Sequence, residues 1–252
     1  MLSKTELFDF LNEKHDRYNR PEFIENDPIC VPHRFNKKED IEIAAFLTAT
    51  IAWGQRATII KNATKLLSMI DNAPYDFIMN AKNSDFMQCS NFKHRTFNGE
   101  DCVFFLKSLQ NMYKKHGGIE KTFARKSSVK DAIISFREKF FELPHPIRTQ
   151  KHVSNPAKGS STKRLNMFLR WLVRNDNRGV DFGIWKAVNS TELLCPLDVH
   201  TANVSRKLGL LKRKQNDWKA VEELTENLRQ FDKKDPVKYD FALFGLGIFE
   251  KF

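Results

Sequence analysis

Hydrophobic residues recur along this chain at intervals of three and four positions, the spacing that places them on one face of an α-helix. No run of alternating apolar and polar residues is flanked by hairpin turn residues, which a β-strand of an antiparallel sheet would need. The pattern therefore predicts an all-α fold. The most complete stripes are Ile59-Ile60-Ala63-Leu66-Leu67-Ile70, Val103-Leu106-Leu109-Tyr113 and Val129-Ile133-Phe136-Phe140.

Residues typical of helix starts and stops interrupt this pattern. Ser3 and Glu6 form a capping-box motif ahead of the first stripe. Two prolines in Leu143-Pro144-His145-Pro146 stop a helix, and no regular pattern resumes until about residue 162. Because helices are predicted on both sides of this break, we interpret residues 1–252 as one domain of two helical lobes, with a ligand cleft between them.

Composition narrows the class of protein further. The chain has 252 residues, with 42 Lys and Arg against 31 Asp and Glu, a net charge of +11, and 41% of its residues are hydrophobic. These values are typical of a basic globular protein, and the positive excess favours a polyanionic partner such as nucleic acid. No apolar run approaches the ~20 residues of a membrane span, and the first residues lack the apolar core of a signal peptide. We therefore expect a cytoplasmic protein with no membrane partner.

The most basic part of the chain is Leu143–Asn175, which contains no Asp or Glu. Within it, a turn of small residues leads into an amphipathic helix over Lys163–Arg174, in which Lys163, Arg170 and Arg174 share one face. Free backbone amides at the positive end of a helix bind phosphate, so the region 156–174 is a candidate for contact with a DNA backbone. The spacing alone favours a simpler interpretation, a surface loop whose Ser and Thr residues cap the helix.

A second candidate region, residues 196–208, contains Pro196-Leu197-Asp198-Val199-His200 and then a helical pattern that ends at Gly209. An aspartate at this position is typical of a helix N-cap, whose carboxylate accepts a backbone N–H bond. A histidine two residues later is more often a packed or surface residue than a ligand. On the residues alone, Asp198 is therefore predicted to be a cap.

In this order, the two regions resemble the helix-hairpin-helix DNA glycosylases of the endonuclease III superfamily, and most closely a branch carried as a domain of unknown function. The resemblance extends over about residues 38–250, and residues 80–140 are too diverged to align by eye. Its most specific part is the family pattern Pro-hydrophobic-Asp-x-His, followed by a basic stretch and Leu-Gly-Leu. The residues that match this pattern are Pro196, Asp198, His200, Val204, Arg206 and Leu208-Gly209-Leu210.

The family's hairpin resembles residues 157–166 of this chain. Gly159, Lys163 and Asn166 are in register with it, whereas Ser161 replaces its second glycine. This replacement alters the backbone of the hairpin, because glycine adopts conformations that serine rarely does.

Two further segments relate the chain to the family. Ile43–Thr50 and then Ile51–Gln55 are similar to the family's helix end and to the loop that fills the gap left by a flipped base. The spacing between Lys163 and Asp198 is about twice the family's usual gap, which indicates an insertion around Asn175–Leu193.

The resemblance implies a DNA glycosylase with abasic-site lyase activity, which excises a damaged base from double-stranded DNA in base excision repair. It makes Asp198 the essential carboxylate, Lys163 the nucleophile that forms a Schiff base, and His200 a supporting residue behind them. Such a protein would be a monomer associated with the nucleoid. The residues implied in DNA contact are Gly159, Ser160, Ser161, Thr162, Arg164, Arg170 and Arg174, and those implied to fill the gap are Trp53 and Gln55.

No organic cofactor is expected. The family's hairpin holds a monovalent cation in some members, which makes such an ion a candidate ligand at Gly159–Thr162. Other members bind an iron–sulfur cluster through a C-terminal cysteine cluster that this chain lacks. Neither that cluster nor another metal site is expected, because the cysteines are widely spaced and form no CxxC pair. They are Cys30, Cys89, Cys102 and Cys195.

Two other functions fit the same sequence. A non-catalytic DNA-binding module would keep the fold and the basic face without the chemistry, and the altered hairpin favours it. A basic RNA-associated helical protein would need Asp198 only as a cap, although single-stranded RNA binders usually show a strand pattern that this sequence lacks. Trp53 and Trp171, the candidates for stacking on a flipped base, lie among apolar helical positions that are typical of core residues.

Overall fold

The computed structural model describes residues 2–124 and 126–252, and the fold within them is all-helical, as the hydrophobic pattern predicts. Extended backbone pairs in this part of the chain only as isolated bridges. A helix with the length and hydropathy of a membrane span does not occur in it. The α-helices are α1 (Lys4–Tyr18), α2 (Glu22–Glu25), α3 (Lys38–Thr50), α4 (Arg56–Ser68), α5 (Pro74–Asn80), α6 (Asn83–Met87), α7 (Gly99–His116), α8 (Ile119–Phe123), α9 (Val129–Phe140), α10 (Lys163–Val173), α11 (Val199–Lys207), α12 (Trp218–Arg229) and α13 (Tyr239–Ile248).

The helices form where the apolar stripes and the capping residues predict them. Helix α4 buries one face through Ile59, Ala63 and Leu66. The capping box at the start of α1 is present: the Glu6 amide donates to Ser3 Oγ at 3.3 Å, and the Ser3 amide donates to Glu6 Oε2 at 2.7 Å. This arrangement satisfies two backbone donors that the first turn of a helix leaves without partners.

The chain forms two compact units. One, called the C-terminal unit below, contains residues 2–23 and 155–252, and the other, the central unit, contains residues 24–124 and 126–154. The boundary after residue 154 lies in the segment where prolines interrupt the helical pattern. Helix α1 therefore folds with the C-terminal helices, although it lies at the other end of the sequence.

Phenylalanine rings from α3, α7 and α9 make the core of the central unit. The ring centroid of Phe46 lies 5.8 Å from that of Phe105 and 5.4 Å from that of Phe136. Phe140 lies 4.8 Å from Phe105, with the two rings edge to face. Each aromatic pair of this kind adds about 0.5–1.5 kcal/mol to the stabilisation from burying the rings.

In the C-terminal unit, helix α13 packs against both α1 and α11. Gly245 permits the close approach of α1, because a Cβ atom at this position would lie 2.1 Å from Cδ2 of Tyr18. The core around these helices includes Leu11, Leu197 and Leu243, all of which are buried. This packing fixes the first turn of α13 and the residues that precede α11, and both contribute to the site described next.

Candidate functional site

Lys163 and Asp198, the residues that the resemblance pairs, lie beside each other in the C-terminal unit. Lys163 Nζ is 3.9 Å from Asp198 Oδ2, and the two side chains are 26% and 24% exposed. Lys163 is the first residue of α10, and Asp198 immediately precedes α11, so each projects from the start of a helix. An amine and a carboxylate that are distant in sequence thus meet where solvent can still reach them.

Asp198 is also the N-cap of α11. Its Oδ1 accepts a hydrogen bond of 2.9 Å from the Thr201 amide, which confirms the prediction made from the residues alone. The cap uses one carboxylate oxygen and leaves Oδ2 facing Lys163. The two roles are therefore compatible, and the cap holds the carboxylate in a defined orientation.

The amine of Lys163 also contacts a thioether sulfur on its own helix. Its Nζ lies 3.6 Å from Sδ of Met167, one turn further along α10. A thioether is only a weak hydrogen-bond acceptor, so Asp198 is the stronger of these two partners for the ammonium group. Next along the chain, Arg164 is partly buried, and burial lowers its pKa to about 10, which leaves it a cation at neutral pH.

A second carboxylate, from Asp240 at the start of α13, belongs to the same region. Its side chain is buried, and its Oδ2 accepts a hydrogen bond from Nη1 of Arg170. Burial raises the pKa of Asp240 to about 6; Arg170 opposes this rise and the charge of Asp198 adds to it. Asp240 is not among the site residues predicted from the sequence, although a lone aspartate in an otherwise apolar helix is a signal that could identify it.

The predicted contact of Arg170 and Arg174 with DNA phosphates is wrong. These side chains are 4% and 1% exposed, so neither presents its charge on the surface. Arg170 donates to Asp240 and, at 3.3 Å, to Asp181, and Nη1 of Arg174 donates to Asp181 at 3.0 Å. Burial of an arginine requires such compensation, and here the acids come from outside the acid-free segment.

Arg174 is the most fully paired of these arginines. Its Nε lies 3.0 and 2.9 Å from the two carboxylate oxygens of Asp235, and its Nη2 lies 2.8 Å from Oδ2 of Asp176. With its bond to Asp181, the guanidinium therefore binds three carboxylates of the C-terminal unit at the end of α10.

The segment predicted as an insertion, Asn175–Leu193, donates hydrogen bonds to the last carbonyls of α10. The amide of Phe182 donates to the Trp171 carbonyl at 2.7 Å, and the amide of Trp185 donates to the Leu172 carbonyl at 2.8 Å. These bonds satisfy carbonyls that the last turn of a helix leaves without partners. The same segment supplies the buried carboxylate of Asp181, so it is an integral part of the unit.

The predicted hairpin is a tight turn ahead of α10. Gly159 has φ of +82°, and its carbonyl accepts a 3.0 Å bond from the Trp218 amide. Thr162 has φ of +44°, a left-handed conformation that is strained for a β-branched residue. Thr162 stands at the N-cap position, but its side chain does not cap the helix, so the capping predicted from spacing does not occur there.

Side chains around the turn hold this backbone in place. The Thr162 amide donates to Ser160 Oγ at 3.3 Å, and Asn166 Nδ2 donates to the Ser161 carbonyl at 3.1 Å. Gly159 is exposed, and Ser160 and Ser161 are partly exposed. Thr162, the residue directly before Lys163, is buried and therefore does not make the DNA contact predicted for it, so the exposed part of the turn ends at Ser161.

The other site residues predicted from the sequence are divided between the two units. His200 is exposed on α11. Trp53 and Gln55 belong to the central unit, where the Trp53 ring is 5.0 Å from His94 and 5.9 Å from His152, between centroids. Gln55 is exposed at the start of α4. Trp171, in contrast, is fully buried, which confirms its interpretation as a core residue.

Comparison with known proteins identifies one family. A family described as a protein of unknown function, DUF2400, matches residues 27–249. No curated protein and no solved structure matches the chain. Within the described residues, no group of three or more His, Cys, Asp or Glu side chains is arranged to hold a metal ion. Since the family match spans most of the sequence, the chain belongs to the DUF2400 family.

Proposed function

We propose that this protein is a DNA glycosylase with abasic-site lyase activity, in which Lys163 is the nucleophile and Asp198 the essential carboxylate. The observation that carries the proposal is the 3.9 Å separation of Lys163 Nζ from Asp198 Oδ2 at a partly exposed position. The resemblance of the two segments to helix-hairpin-helix glycosylases supplies the reaction. A lysine beside a carboxylate is by itself common in proteins, so the proposal depends on both.

The proposed chemistry uses both groups at the sugar. The neutral amine of Lys163 attacks C1′ of the nucleotide, and the electron pair of the N-glycosidic bond leaves with the base, which takes up a proton. The carboxylate of Asp198 stabilises the positive charge that develops on the sugar and accepts the proton that the attacking amine loses. Opening of the sugar ring then gives a Schiff base, from which β-elimination of the 3′ phosphate cleaves the strand.

DNA binding in this proposal relies on exposed cations and backbone amides. The net charge of +11 favours a polyanion. Lys158 is exposed next to the turn that precedes α10, where helix amides are suited to phosphate. Extrusion of the nucleotide costs a few kcal/mol, and we assign the filling of the resulting gap to the loop that contains Trp53 and Gln55.

Covalent trapping tests the nucleophile directly. Borohydride reduces a Schiff base to a stable amine, so the wild-type protein should become attached to an oligonucleotide duplex that contains an abasic site. Lys163→Gln should lose this product. Lys158→Gln is the matched control, because it removes a nearby exposed lysine and should keep the product at saturating protein.

Other outcomes separate the alternatives. Release of a damaged base without any trapped adduct would remove Lys163 from the mechanism and leave Asp198 to activate water. Neither an adduct nor base release, on a panel of oxidised, deaminated and alkylated bases, would replace this proposal with the non-catalytic DNA-binding function.

A further inference from the structure

Three consecutive cations, Lys212-Arg213-Lys214, lie in the loop between α11 and α12. Arg213 is paired with Asp217: its Nε donates to Oδ1 at 2.7 Å, and its Nη2 donates to Oδ2. Lys212 and Lys214 are exposed on either side of it. Among residues 2–124 and 126–252, no carboxylate forms an ion pair with either ammonium group. The loop therefore presents two unpaired positive charges to solvent.

Contacts on both sides fix the backbone of this loop. Nε of Arg206, on α11, donates to the Arg213 carbonyl at 2.9 Å, and its Nη2 donates to the Lys214 carbonyl at 2.8 Å. From α12, Oε1 of Glu223 accepts a hydrogen bond of 2.6 Å from the Lys212 amide. The two lysines thus project from an ordered backbone, and an ordered backbone loses less conformational entropy when a ligand binds.

The loop also lies against the exposed turn that precedes α10. The Trp218 amide donates to the Gly159 carbonyl at 3.0 Å, and Asp217 pairs with Ser160 in an isolated antiparallel bridge. Gly159 is four residues before Lys163, so their Cα atoms are at most about 14 Å apart, since an extended chain spans up to ~3.6 Å per residue. The loop is therefore joined to the end of α10 at which the candidate site lies.

Helix α11 gives the scale of the separation between this loop and the site. Arg206 follows Asp198 by eight residues, which corresponds to about 12 Å at ~1.5 Å per residue of helix. Each strand of B-DNA carries one phosphate per ~3.4 Å of helix axis, so 12 Å corresponds to about three or four nucleotides. One bound duplex can thus span both places, while the loop lysines stay away from the reacting atoms.

We propose that Lys212 and Lys214 form a phosphate-binding surface for duplex DNA, in place of the contacts that the buried Arg170 and Arg174 do not make. Lysine binds phosphate as a point charge, which suits an exposed position on a loop. The surface fits a duplex better than single-stranded RNA, because unpaired bases stack on exposed aromatic rings and the neighbouring Trp218 is buried. The inference rests on the proposed function only for the identity of the partner.

Binding of an undamaged duplex tests this surface apart from catalysis. In Lys212→Gln/Lys214→Gln, the slope of log affinity against log salt should be shallower by about 1.8, because each phosphate contact accounts for about 0.9 of the slope. Lys212→Arg/Lys214→Arg keeps both charges and should bind with the wild-type slope. Fluorescence anisotropy with a labelled duplex measures all three proteins. Because both lysines are exposed, urea unfolding should show that the two variants are as stable as the wild-type protein.

Lys233→Gln/Lys234→Gln is the matched control. It removes two exposed lysines, and the same net charge, from the C-terminal unit, but at the other end of α12. Its slope should stay at the wild-type value. An equal loss of slope in the two glutamine variants would show that net charge alone decides the affinity, and it would overturn the inference. A wild-type slope in Lys212→Gln/Lys214→Gln would overturn it as well.

The same variant distinguishes other partners and the proposed chemistry. If Lys212→Gln/Lys214→Gln binds single-stranded RNA more weakly but binds duplex DNA with the wild-type slope, the surface serves another partner and the inference is wrong. A wild-type protein that is never trapped on abasic DNA, although the variant has the shallower slope, refutes the proposed glycosylase alone. Trapping of the wild-type protein without a change of slope in the variant refutes this inference alone.

Discussion

Nη1 of Arg174 lies 3.0 Å from Oδ2 of Asp181, and both side chains are almost completely buried. Asp181 also accepts from Arg170, so one carboxylate compensates two arginines of the same helix. The basic end of α10 is thereby neutralised inside the C-terminal unit. The positive charge that the sequence concentrates there stabilises the fold through these pairs, and the exposed cations must account for any binding of a polyanion.

Asp181→Ala should strongly destabilise the protein. The substitution leaves two buried guanidinium groups without a shared partner, and loss of one member of a buried ion pair costs about 3–5 kcal/mol. Urea unfolding would measure the loss. Asp9→Ala, which removes an exposed carboxylate on α1 of the same unit, should change the free energy of unfolding by less than about 0.5 kcal/mol. A similarly small effect for Asp181→Ala would show that the pairing contributes little.

Substitutions of Asp198 should separate its capping from its proposed catalytic role. Asp198→Ala removes the acceptor for the Thr201 amide and should cost about 1 kcal/mol of unfolding free energy. Asp198→Asn keeps an oxygen that can cap, so the cost should be much smaller, but it removes the negative charge. Both variants should lose trapping on abasic DNA. If Asp198→Asn is trapped as well as the wild-type protein, the carboxylate serves only as a cap.

Local features of this structure were predictable from the sequence because they depend on neighbours within one or two helical turns. The apolar stripe of α4, the cap at Ser3 and the cap at Asp198 are features of this kind. The spacing of three and four residues encodes the buried face directly, and a polar side chain before a stripe encodes the start of the helix.

Charge compensation was not predictable in the same way. The absence of acids from Leu143–Asn175 suggested a surface of uncompensated cations, but distance along the chain does not measure distance in the fold. Arg170 meets its partner Asp240 across seventy positions of sequence. Arg174 is paired by Asp181, which lies in the segment interpreted as an insertion. Helical periodicity places Arg170 and Arg174 on one face of α10 but does not indicate that this face is buried.

The pH dependence of stability should reveal His15, which is buried on α1. Burial, with Arg174, Arg178 and Lys238 nearby, lowers the pKa of His15 to about 4. Because the unfolded chain binds this proton near pH 6.5 and the folded chain does not, the contribution of His15 is complete above pH 6.5 and is lost as the pH falls toward 4. As the pH falls from 6.5 to 4, the unfolding free energy of His15→Gln should therefore rise by about 3 kcal/mol relative to that of the wild-type protein.

Asp240 changes the free energy of unfolding in the opposite direction over an overlapping pH range. Its folded pKa of about 6 is above the ordinary value of 3.8, so its contribution is complete below 3.8 and is lost as the pH rises through 6. The two effects offset each other in the wild-type protein between about pH 4 and 6, which is why the comparison must be made between His15→Gln and wild type. Urea unfolding at several pH values measures the difference in unfolding free energy between the two proteins. If that difference does not vary with pH, His15 titrates normally.

DNA binding should weaken steeply with salt, and Lys158 should carry part of that dependence. Each phosphate contact that is lost reduces the slope of log affinity against log salt by about 1, so Lys158→Gln should show a shallower slope on all duplex sequences alike. Arg170→Gln is the informative comparison, because its buried guanidinium is bound by Asp240 and Asp181. Arg170→Gln should lower the free energy of unfolding. The protein that remains folded should bind DNA with the wild-type slope of log affinity against log salt. Fluorescence anisotropy with a labelled duplex measures both slopes, and salt-independent binding by the wild-type protein would contradict the phosphate contacts.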